Sequence, residues 1–304
     1  MDFLEELAGI EGLALKREEP MKKHTTAGLG GNARIYAEAE SLYSLSSALN
    51  AAKRHAAKCK VVGNGSNLLV SDEGFDGLII SAARLKDAFI TKDGLRVGAG
   101  LTLSALTQFA LRLGLGGAEE LVGIPGTVGG AIKTNAGAFG KSVSDILVSA
   151  EVLTDGKIEK RKAEELSFGY RKSGLKKGET VVAATFGLYS AKPSEIEKRR
   201  AEFISLRRAK QPQGRSFGST FKNPQRVKCE EIKRLGAGAI IEKAGLKGFS
   251  FGGASVSDKH ANFITLSSSA TAKEVKTLIE GIKTRVYEKF GVKLSEEVEY
   301  VGEF

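Results

Sequence analysis

Apolar positions recur along this chain with two periods, and the change of period predicts where helices and strands lie. Leu103, Leu106, Phe109 and Leu113 follow helical spacing and predict a helix over 102–113. Val275, Leu278, Ile279, Ile282, Val286 and Phe290 form one apolar stripe, so 271–290 reads as a long helix facing a core. Thr271 and Glu274 supply its capping box. Shorter helices are predicted over 3–8 and 41–55, and "CEEIKRLGAGAIIEKAGL" reads as helix with a glycine break. "SAKPSEIEKRRAEFISLRRAKQP" lacks such a stripe and reads as one long charged helix between Pro193 and Pro212.

Strands are short and numerous: "RIYAEAE", "KVVG", "NLLVSD", "GLII", "TVVAATFGLY", the pieces of "GASVSDKHANFITL", and a closing "KLSEEVEYVG". Asp-Gly pairs in "AFITKDGLRVGAG" and "AEVLTDGKIEK" predict hairpins. The first ~190 residues therefore read as a strand-dense α+β unit, and the composition shift at the charged helix marks a domain boundary.

A chain of 304 residues agrees with two domains, and 41% hydrophobic with 27% charged residues is the composition of a globular protein. The formal charge of +10 implies anionic company. There is no run of five Lys/Arg, no aromatic-studded RNA motif and no zinc finger, so small anionic ligands fit at least as well as nucleic acid. Cys59 and Cys229 give no disulfide framework, and His24, His55 and His260 lack metal-ligand spacing. The N-terminus begins acidic without a signal-peptide core, and no apolar run reaches the roughly 20 residues that span a bilayer. We expect a cytoplasmic protein with no metal, no nucleic acid partner and no membrane insertion, with a monomer favoured.

Four segments are more polar or richer in glycine than packing requires. "KVVGNGSNLLVSD" sets Gly63, Asn64, Gly65, Ser66 and Asn67 between two apolar runs, yet matches neither the G-x-x-x-x-G-K-[ST] nor the G-x-G-x-x-G phosphate loop. "GIPGTVGGAIKTNAGAFG" stays small throughout, which lets backbone approach a flat or bulky ligand and can place N–H groups at a helix N-terminus. Either loop alone reads as a turn-rich connection; two in one domain point to a large phosphate-bearing cofactor. "SFGSTFKNP" holds Ser219, Lys222 and Asn223 near a turn, where a serine is ordinarily a turn or cap residue. "LSEEVEYVG" puts Glu297 and Glu299 on one strand face and Glu296 on the other, ordinarily a solvated edge. In "FGYRKSG", Arg171 is suited to bidentate contact with a carboxylate or phosphate.

In order along the chain, "TTAGLGGNA", "GNGSNLLVSD", "GIPGTVGGAIKTNAGAFG", "YRKS", "KQP" with "GSTFKNP", "AGAIIEKAGLKG", "KHANFI" and "LSEEVEYVG" resemble the UDP-N-acetylenolpyruvoylglucosamine reductase (UDP-N-acetylmuramate dehydrogenase) family. The resemblance implies an α+β fold: a two-lobed FAD-binding domain of the vanillyl-alcohol-oxidase/PCMH flavoprotein type, with a smaller α+β substrate-binding domain. It places the FAD-binding domain at 1–190, with lobes of about 1–60 and 61–190, the substrate-binding domain at 191–292, and a C-terminal strand with the catalytic glutamate at 293–304. FAD would be held by Gly63, Asn64, Gly65, Ser66, Asn67 and Leu68 around the pyrophosphate. Pro125, Gly126, Thr127, Gly129, Gly130, Ala131, Thr134, Asn135 and Ala136 would line the flavin.

The implied reaction reduces the enolpyruvyl ether of UDP-N-acetylglucosamine with NADPH, giving UDP-N-acetylmuramate for peptidoglycan. Hydride from the flavin N5 reaches the vinyl CH2, and C2 then takes a proton. By resemblance Ser219 donates that proton, Arg171 and Glu297 sit at the substrate carboxylate, and Tyr170, Lys210 and Asn223 bind the substrate. The +10 charge then answers three anions, FAD, NADPH and the nucleotide sugar.

The chain departs from the pattern in two places. "RSFGS" stands where a proline-serine-alanine lead-in is common, and Thr265-Leu266 follows "KHANFI" where an asparagine is frequent. The short "SGLKKGE" after Tyr170 matches the shorter subtype, without a tyrosine-bearing loop over the substrate. Two alternatives stand beside this reading: an FAD-dependent sugar or alcohol oxidase of the same fold, and a non-catalytic nucleotide-sugar-binding flavoprotein. The oxidase has no use for "GSTFKNP" and the terminal glutamate, and the binding protein has none for Ser219, Arg171 and Glu297 together.

Overall fold

The computed structural model describes residues 2–225, 227 and 229–304. The chain divides into two compact units that interleave along the sequence. Unit 1 comprises Met1–Glu19, Arg34–Asn64 and Asp76–Arg207; unit 2 comprises Pro20–Ala33, Gly65–Phe75 and Arg208–Phe304.

Unit 1 is built on two large sheets, with two two-stranded pairs beside them. The first has four strands in the order Leu13–Pro20, Asn32–Ala39, Phe75–Ser81, Cys59–Val62. Cys59–Val62 runs parallel to Phe75–Ser81, with Val62 opposite Ser81. Leu78, Ile79 and Ile80 on that central strand are fully buried, as expected for a strand covered on both faces. Helix α1 (Phe3–Ala8) and helix α2 (Leu42–Arg54) pack here, α2 through Leu45, Ala48, Ala51 and Ala52. Ser41 and Ser44 close a capping box at the start of α2.

The second sheet has five strands in the order Lys157–Lys162, Leu147–Thr154, Thr180–Phe186, Gly94–Gly98, Ala88–Thr91, all antiparallel. Helix α3 (Leu103–Arg112) and helix α4 (Val128–Thr134) bury Leu103, Leu106, Ala110, Val128 and Ile132 in the core formed with this sheet. One hairpin turns at Asp155-Gly156, both at positive φ (49° and 77°), with Thr154 paired to Lys157. The other turns one residue earlier than the Asp-Gly pair suggests. Thr91 pairs with Gly94, so Lys92 and Asp93 form the turn and Gly94 is already in the strand. Gly94 is needed there for space: at φ 133°, a Cβ would stand 2.2 Å from the Phe186 carbonyl oxygen.

Helix α5 (Pro193–Lys210) leaves unit 1 at Arg207, whose Nε–H donates to the Val122 carbonyl at 2.8 Å. Only Ile196 and Arg200 of α5 are buried, in keeping with its missing apolar stripe.

Unit 2 has one core, filled by helix α6 (Ala237–Lys243), helix α7 (Ala272–Phe290) and short strands. The stripe of α7 is buried at Val275, Leu278, Ile279, Ile282 and Val286, each side chain contributing about 1.5–3 kcal/mol. Thr271 and Glu274 form the capping box, and Gly291 at φ 67° ends the helix. Asp72 adds a second cap, accepting from the N–H groups of Ala272 and Lys273 at 2.8 and 2.9 Å. Strands Ser250–Phe251, Ala254–Val256 and Ile264–Leu266 form a small sheet.

The early segments belong to unit 2 for a plain reason. Leu68–Val70 pairs in parallel with Glu299–Val301, and Ala27, Leu29 and Leu69 pack into the unit 2 core.

Candidate active site

The glycine-rich loop of 60–72 is not a hairpin. Its first strand, Cys59–Val62, pairs inside unit 1, and its second, Leu68–Val70, pairs inside unit 2. The chain changes unit between Asn64 and Gly65. In unit 1, a Cβ on Gly63 would lie 2.3 Å from Thr127 Oγ1, so the loop's start abuts the second glycine-rich segment. In unit 2, Gly65 has φ 60°, and a Cβ there would lie 2.0 Å from the His24 carbonyl oxygen. Both glycines are required by close approach.

Asn67 turns toward the C-terminal strand. Its Nδ2–H donates to the Glu297 carbonyl at 2.8 Å, and its own carbonyl accepts from the Glu299 N–H at 2.9 Å. Leu68 is buried beneath the loop.

Residues 123–140 surround α4. Thr127 precedes the helix and is buried; Gly126 before it has φ 143°. The first N–H groups of the helix are spent inside unit 1: Val128 donates to the Leu101 carbonyl and Gly129 to the Ala99 carbonyl, each at 2.9 Å. Val128 and Gly129 are therefore not donors for an anion, contrary to what a glycine-rich helix start suggests. What the segment offers is bare backbone. Gly130 is exposed on the first turn, and a Cβ there would have only Thr127 Oγ1 near it, at 3.7 Å. Pro125 is exposed, Ala131 buried and Ala136 half-buried, while Thr134 Oγ1–H donates to the Gly130 carbonyl. Such a surface fits a flat, bulky group like a flavin ring.

Asn135 ends α4 in the left-handed conformation, φ 45°. Its Nδ2–H donates to the Gly169 carbonyl at 3.1 Å, and its Oδ1 accepts from the Ser144 N–H at 3.2 Å. Arg171 returns the tie: Nη2–H donates to the Gly137 carbonyl at 2.9 Å and Nη1–H to the Asn135 carbonyl at 3.4 Å. Arg171 itself has φ 53°, a strained backbone for a residue with a Cβ, and its guanidinium lies 5.3 Å from the Tyr170 ring centre. Tyr170 is exposed at 41%.

In unit 2, Ser219, Thr220 and Phe221 lie between two other segments. Ser219 bridges Phe263 and Phe221 bridges Glu296, both antiparallel. Glu297 N–H donates to the Thr220 carbonyl and Lys222 N–H to the Ser295 carbonyl, each at 2.8 Å. Ser219 and Glu297, 78 positions apart in numbering (297 − 219), thus sit on strands joined by main-chain hydrogen bonds. Both are half-buried. Glu296 pairs with Lys283 of α7 at 2.8 Å, which steadies the strand from its other face.

Asn262 holds the same strand and is a residue that the sequence reading did not single out. Its carbonyl accepts from the Thr220 N–H, Oδ1 from the Phe221 N–H at 2.9 Å, and Nδ2–H donates to the Phe221 carbonyl at 2.8 Å. The signal was present in "KHANFI": a lone amide between apolar neighbours, here 4% exposed, must find partners. Next to it, burial pushes the His260 imidazole below its ordinary range, and its Nδ1 accepts from the Asn262 N–H at 3.2 Å.

Asn223 Oδ1 accepts from the Ala237 N–H at 2.9 Å, capping α6, and Lys210 is exposed at the end of α5. Where an asparagine is frequent, Thr265 Oγ1–H donates to the Ser255 carbonyl and Leu266 packs against the core. An open cavity of about 620 Å³ in unit 2 is lined by Thr265, Ser255, Ser267 and Glu274 among others. The Glu274 carboxylate there is taken up by the N–H groups of Gly253 and Thr271, which hold it below the usual range. Among the described residues no cluster of His, Cys, Asp and Glu could hold a metal, and no helix is long and apolar enough to cross a membrane.

Comparison with known proteins matches two stretches of the chain. Residues 33–160 match an FAD binding domain, and residues 210–301 match the UDP-N-acetylenolpyruvoylglucosamine reductase C-terminal domain. The fold and these two matches define a flavoprotein oxidoreductase of the FAD-binding α+β type. The UDP-N-acetylenolpyruvoylglucosamine reductase of Agathobacter rectalis is 40% identical, covering 96% of this chain and 95% of its own. That of Carboxydothermus hydrogenoformans is also 40% identical, covering 98% of each. The crystal structure of UDP-N-acetylenolpyruvylglucosamine reductase from Thermus caldophilus superposes with a TM-score of 0.79 at 37% identity, over 95% of this chain and 99% of that one.

The chain belongs to the UDP-N-acetylenolpyruvoylglucosamine reductase family. It is an enzyme of UDP-N-acetylmuramate synthesis, with FAD as cofactor and NADPH as reductant.

Proposed function

We propose that Ser219, Glu297 and Arg171 carry the reduction of UDP-N-acetylglucosamine enolpyruvate to UDP-N-acetylmuramate. The observation that supports this most directly is the ladder in unit 2, where Glu297 N–H bonds to the carbonyl next to Ser219. It fixes the backbones of the two residues on adjacent strands.

FAD, when bound, supplies the hydride that it has taken from NADPH. The substrate's vinyl group is conjugated to a carboxylate, so hydride addition at the CH2 leaves negative charge on C2 and the carboxylate oxygens. Arg171 stabilises that charge, and Glu297 acts beside it as a protonated acid or with its charge offset by a cation. Ser219 gives the proton to C2. Tyr170, Lys210 and Asn223 hold the nucleotide sugar, the lysine by charge at the diphosphate. Gly63 through Leu68 hold the FAD pyrophosphate, and the small residues from Pro125 to Ala136 line the flavin.

The functional division is by sequence, although Pro20–Ala33 and Gly65–Phe75 of the first part fold within unit 2. Residues 1–190 hold the flavin, 191–292 the sugar nucleotide, and 293–304 carry the glutamate; the two family matches support the first two assignments. Free thiols at Cys59 and Cys229 and the use of NADPH support a cytoplasmic enzyme, which we take to be a monomer.

The test separates two half-reactions. Flavin reduction by NADPH is followed first, then reoxidation by the enolpyruvyl sugar nucleotide. Ser219→Ala is expected to leave reduction near normal and to slow reoxidation by about 10² or more. Equal loss in both half-reactions refutes the proton-donor role, and a protein reduced by NADPH but not reoxidised by this substrate refutes the substrate.

A further inference from the structure

The segment leading to Ser219 has little backbone restraint of its own. Gly214 and Gly218 flank it at φ 101° and 75°, and neither would meet any atom within 4 Å through an added Cβ. Two open glycines in a loop make its conformation easy to lose. Arg215 lies between them and supplies the missing restraint. Its Nε–H donates to the Ala27 carbonyl at 2.9 Å, Nη1–H to the Ser267 carbonyl at 2.9 Å, and Nη2–H to the Gly28 carbonyl. Three carbonyls from two distant segments converge on one planar fork.

Both partners are themselves tied to the Ser219 strand. Thr26 Oγ1–H donates to the Ser216 carbonyl at 3.1 Å, so residues 26–28 grip the loop twice. Ser267 directly follows strand Ile264–Leu266, which continues the segment holding Phe263, the residue that bridges Ser219. Gly28 is shaped for this contact: it has φ 62°, and a Cβ would stand 2.8 Å from Arg215 Nε. Phe217, 3% exposed, anchors the middle of the loop in the core. A guanidinium spans three separated carbonyls because its donors sit on different nitrogens in one fixed plane, whereas an ammonium's three donors all leave a single atom.

We propose that Arg215 is a positioning residue for Ser219, its three-carbonyl tie doing for this loop what a proline lead-in does by fixing φ. The proposal rests on the reading of Ser219 as the proton donor. Arg215 acts on the proton-transfer step and on no other.

The experiment is a double-mutant cycle in the two half-reactions, using the FAD-loaded enzyme, NADPH and UDP-N-acetylglucosamine enolpyruvate. Arg215→Ala is expected to leave flavin reduction unchanged and to slow reoxidation at saturating substrate by about ten- to a hundredfold, the scale of a small misplacement of a reacting group. Added guanidinium at non-denaturing concentration is expected to restore part of the rate, and sodium chloride at equal ionic strength is not. Arg215→Lys, which keeps the charge and folds under milder demand, is expected to show the same selective loss to a smaller extent. On a Ser219→Ala background Arg215→Ala is expected to add no further loss. Amide hydrogen exchange at Phe217–Ser219 should rise in Arg215→Ala with or without FAD.

If Ser219→Ala slows reoxidation while the Arg215 variants do not, or if the two losses multiply, the positioning role is overturned and Ser219 stands. If Ser219→Ala itself leaves reoxidation intact, the proton-donor reading falls, and the unrescued exchange data still report whether the tie orders the loop.

Discussion

The side-chain amide of Asn67 donates to the main-chain carbonyl of Glu297 at 2.8 Å, across 230 positions of sequence. With the Glu297 N–H bonded to the Thr220 carbonyl, both main-chain polar groups of Glu297 are engaged, one by the glycine-rich loop and one by the Ser219 strand. The Asn67 side chain thus holds the C-terminal strand.

Asn67→Ala should cost about 0.5–1.5 kcal/mol of stability through the lost hydrogen bond. Asn67→Asp should cost more, since it sets a carboxylate oxygen against the Glu297 carbonyl and leaves both without a proton. Urea unfolding midpoints of the two variants check the order. Equal midpoints would show that the amide contributes nothing at this position.

Arg171→Lys keeps the charge and loses the fork that reaches the Asn135 and Gly137 carbonyls. We expect kcat/KM to fall by about 10² to 10³, as for loss of one preorganised donor, with FAD content unchanged. Steady-state rates beside a flavin-to-protein absorbance ratio make the measurement. Loss of FAD with the rate would mean that Arg171 serves only the flavin segment.

Two glycines separate fold from cofactor. Gly65→Ala forces a Cβ against the His24 carbonyl oxygen at positive φ, so it should destabilise the fold. Gly130→Ala meets only Thr127 Oγ1 at 3.7 Å, so the protein should fold normally. If Gly130 lines the flavin, that variant should bind FAD about tenfold more weakly, near 1.4 kcal/mol. Thermal melts of the FAD-free proteins and flavin titration read the two effects apart.

His260 is expected to make stability depend on pH. Burial holds its folded pKa below the ordinary 6.5, so the unfolded chain binds a proton more readily than the folded one. Its effect is absent above about pH 6.5, and stability falls as pH drops from there through the depressed folded value. Glu242 and Lys247 act on it in opposite senses. Melting temperatures from about pH 7.5 to about pH 5 should fall less steeply in His260→Gln than in the parent. Parallel curves would show that His260 has no part in acid destabilisation.

Much of the local structure was legible because it is set by neighbours in sequence. The α7 stripe and its Thr271–Glu274 box give the helix, its buried face and its start from a single stretch. The Asp155-Gly156 turn follows from the left-handed preference of those residue types. The hairpin at 92–94 was misplaced by one residue because Gly94 serves a close approach to Phe186, a contact that nothing local announces. A glycine-rich helix start can offer N–H groups to an anion, but the Leu101 and Ala99 carbonyls occupy the first donors of α4.

The motif residues were legible singly, and their partners were not. Sequence by itself determined the elements, the anionic company implied by a +10 charge, and through its ordered motifs the family. Only the tertiary structure decided that 60–72 joins two units rather than closing a hairpin, that Asn67 grips Glu297, and that Arg215 restrains the Ser219 loop. The physical reason is range. Periodicity and capping act within a few residues, whereas a buried amide or guanidinium takes whichever carbonyl the folded chain brings within about 3 Å.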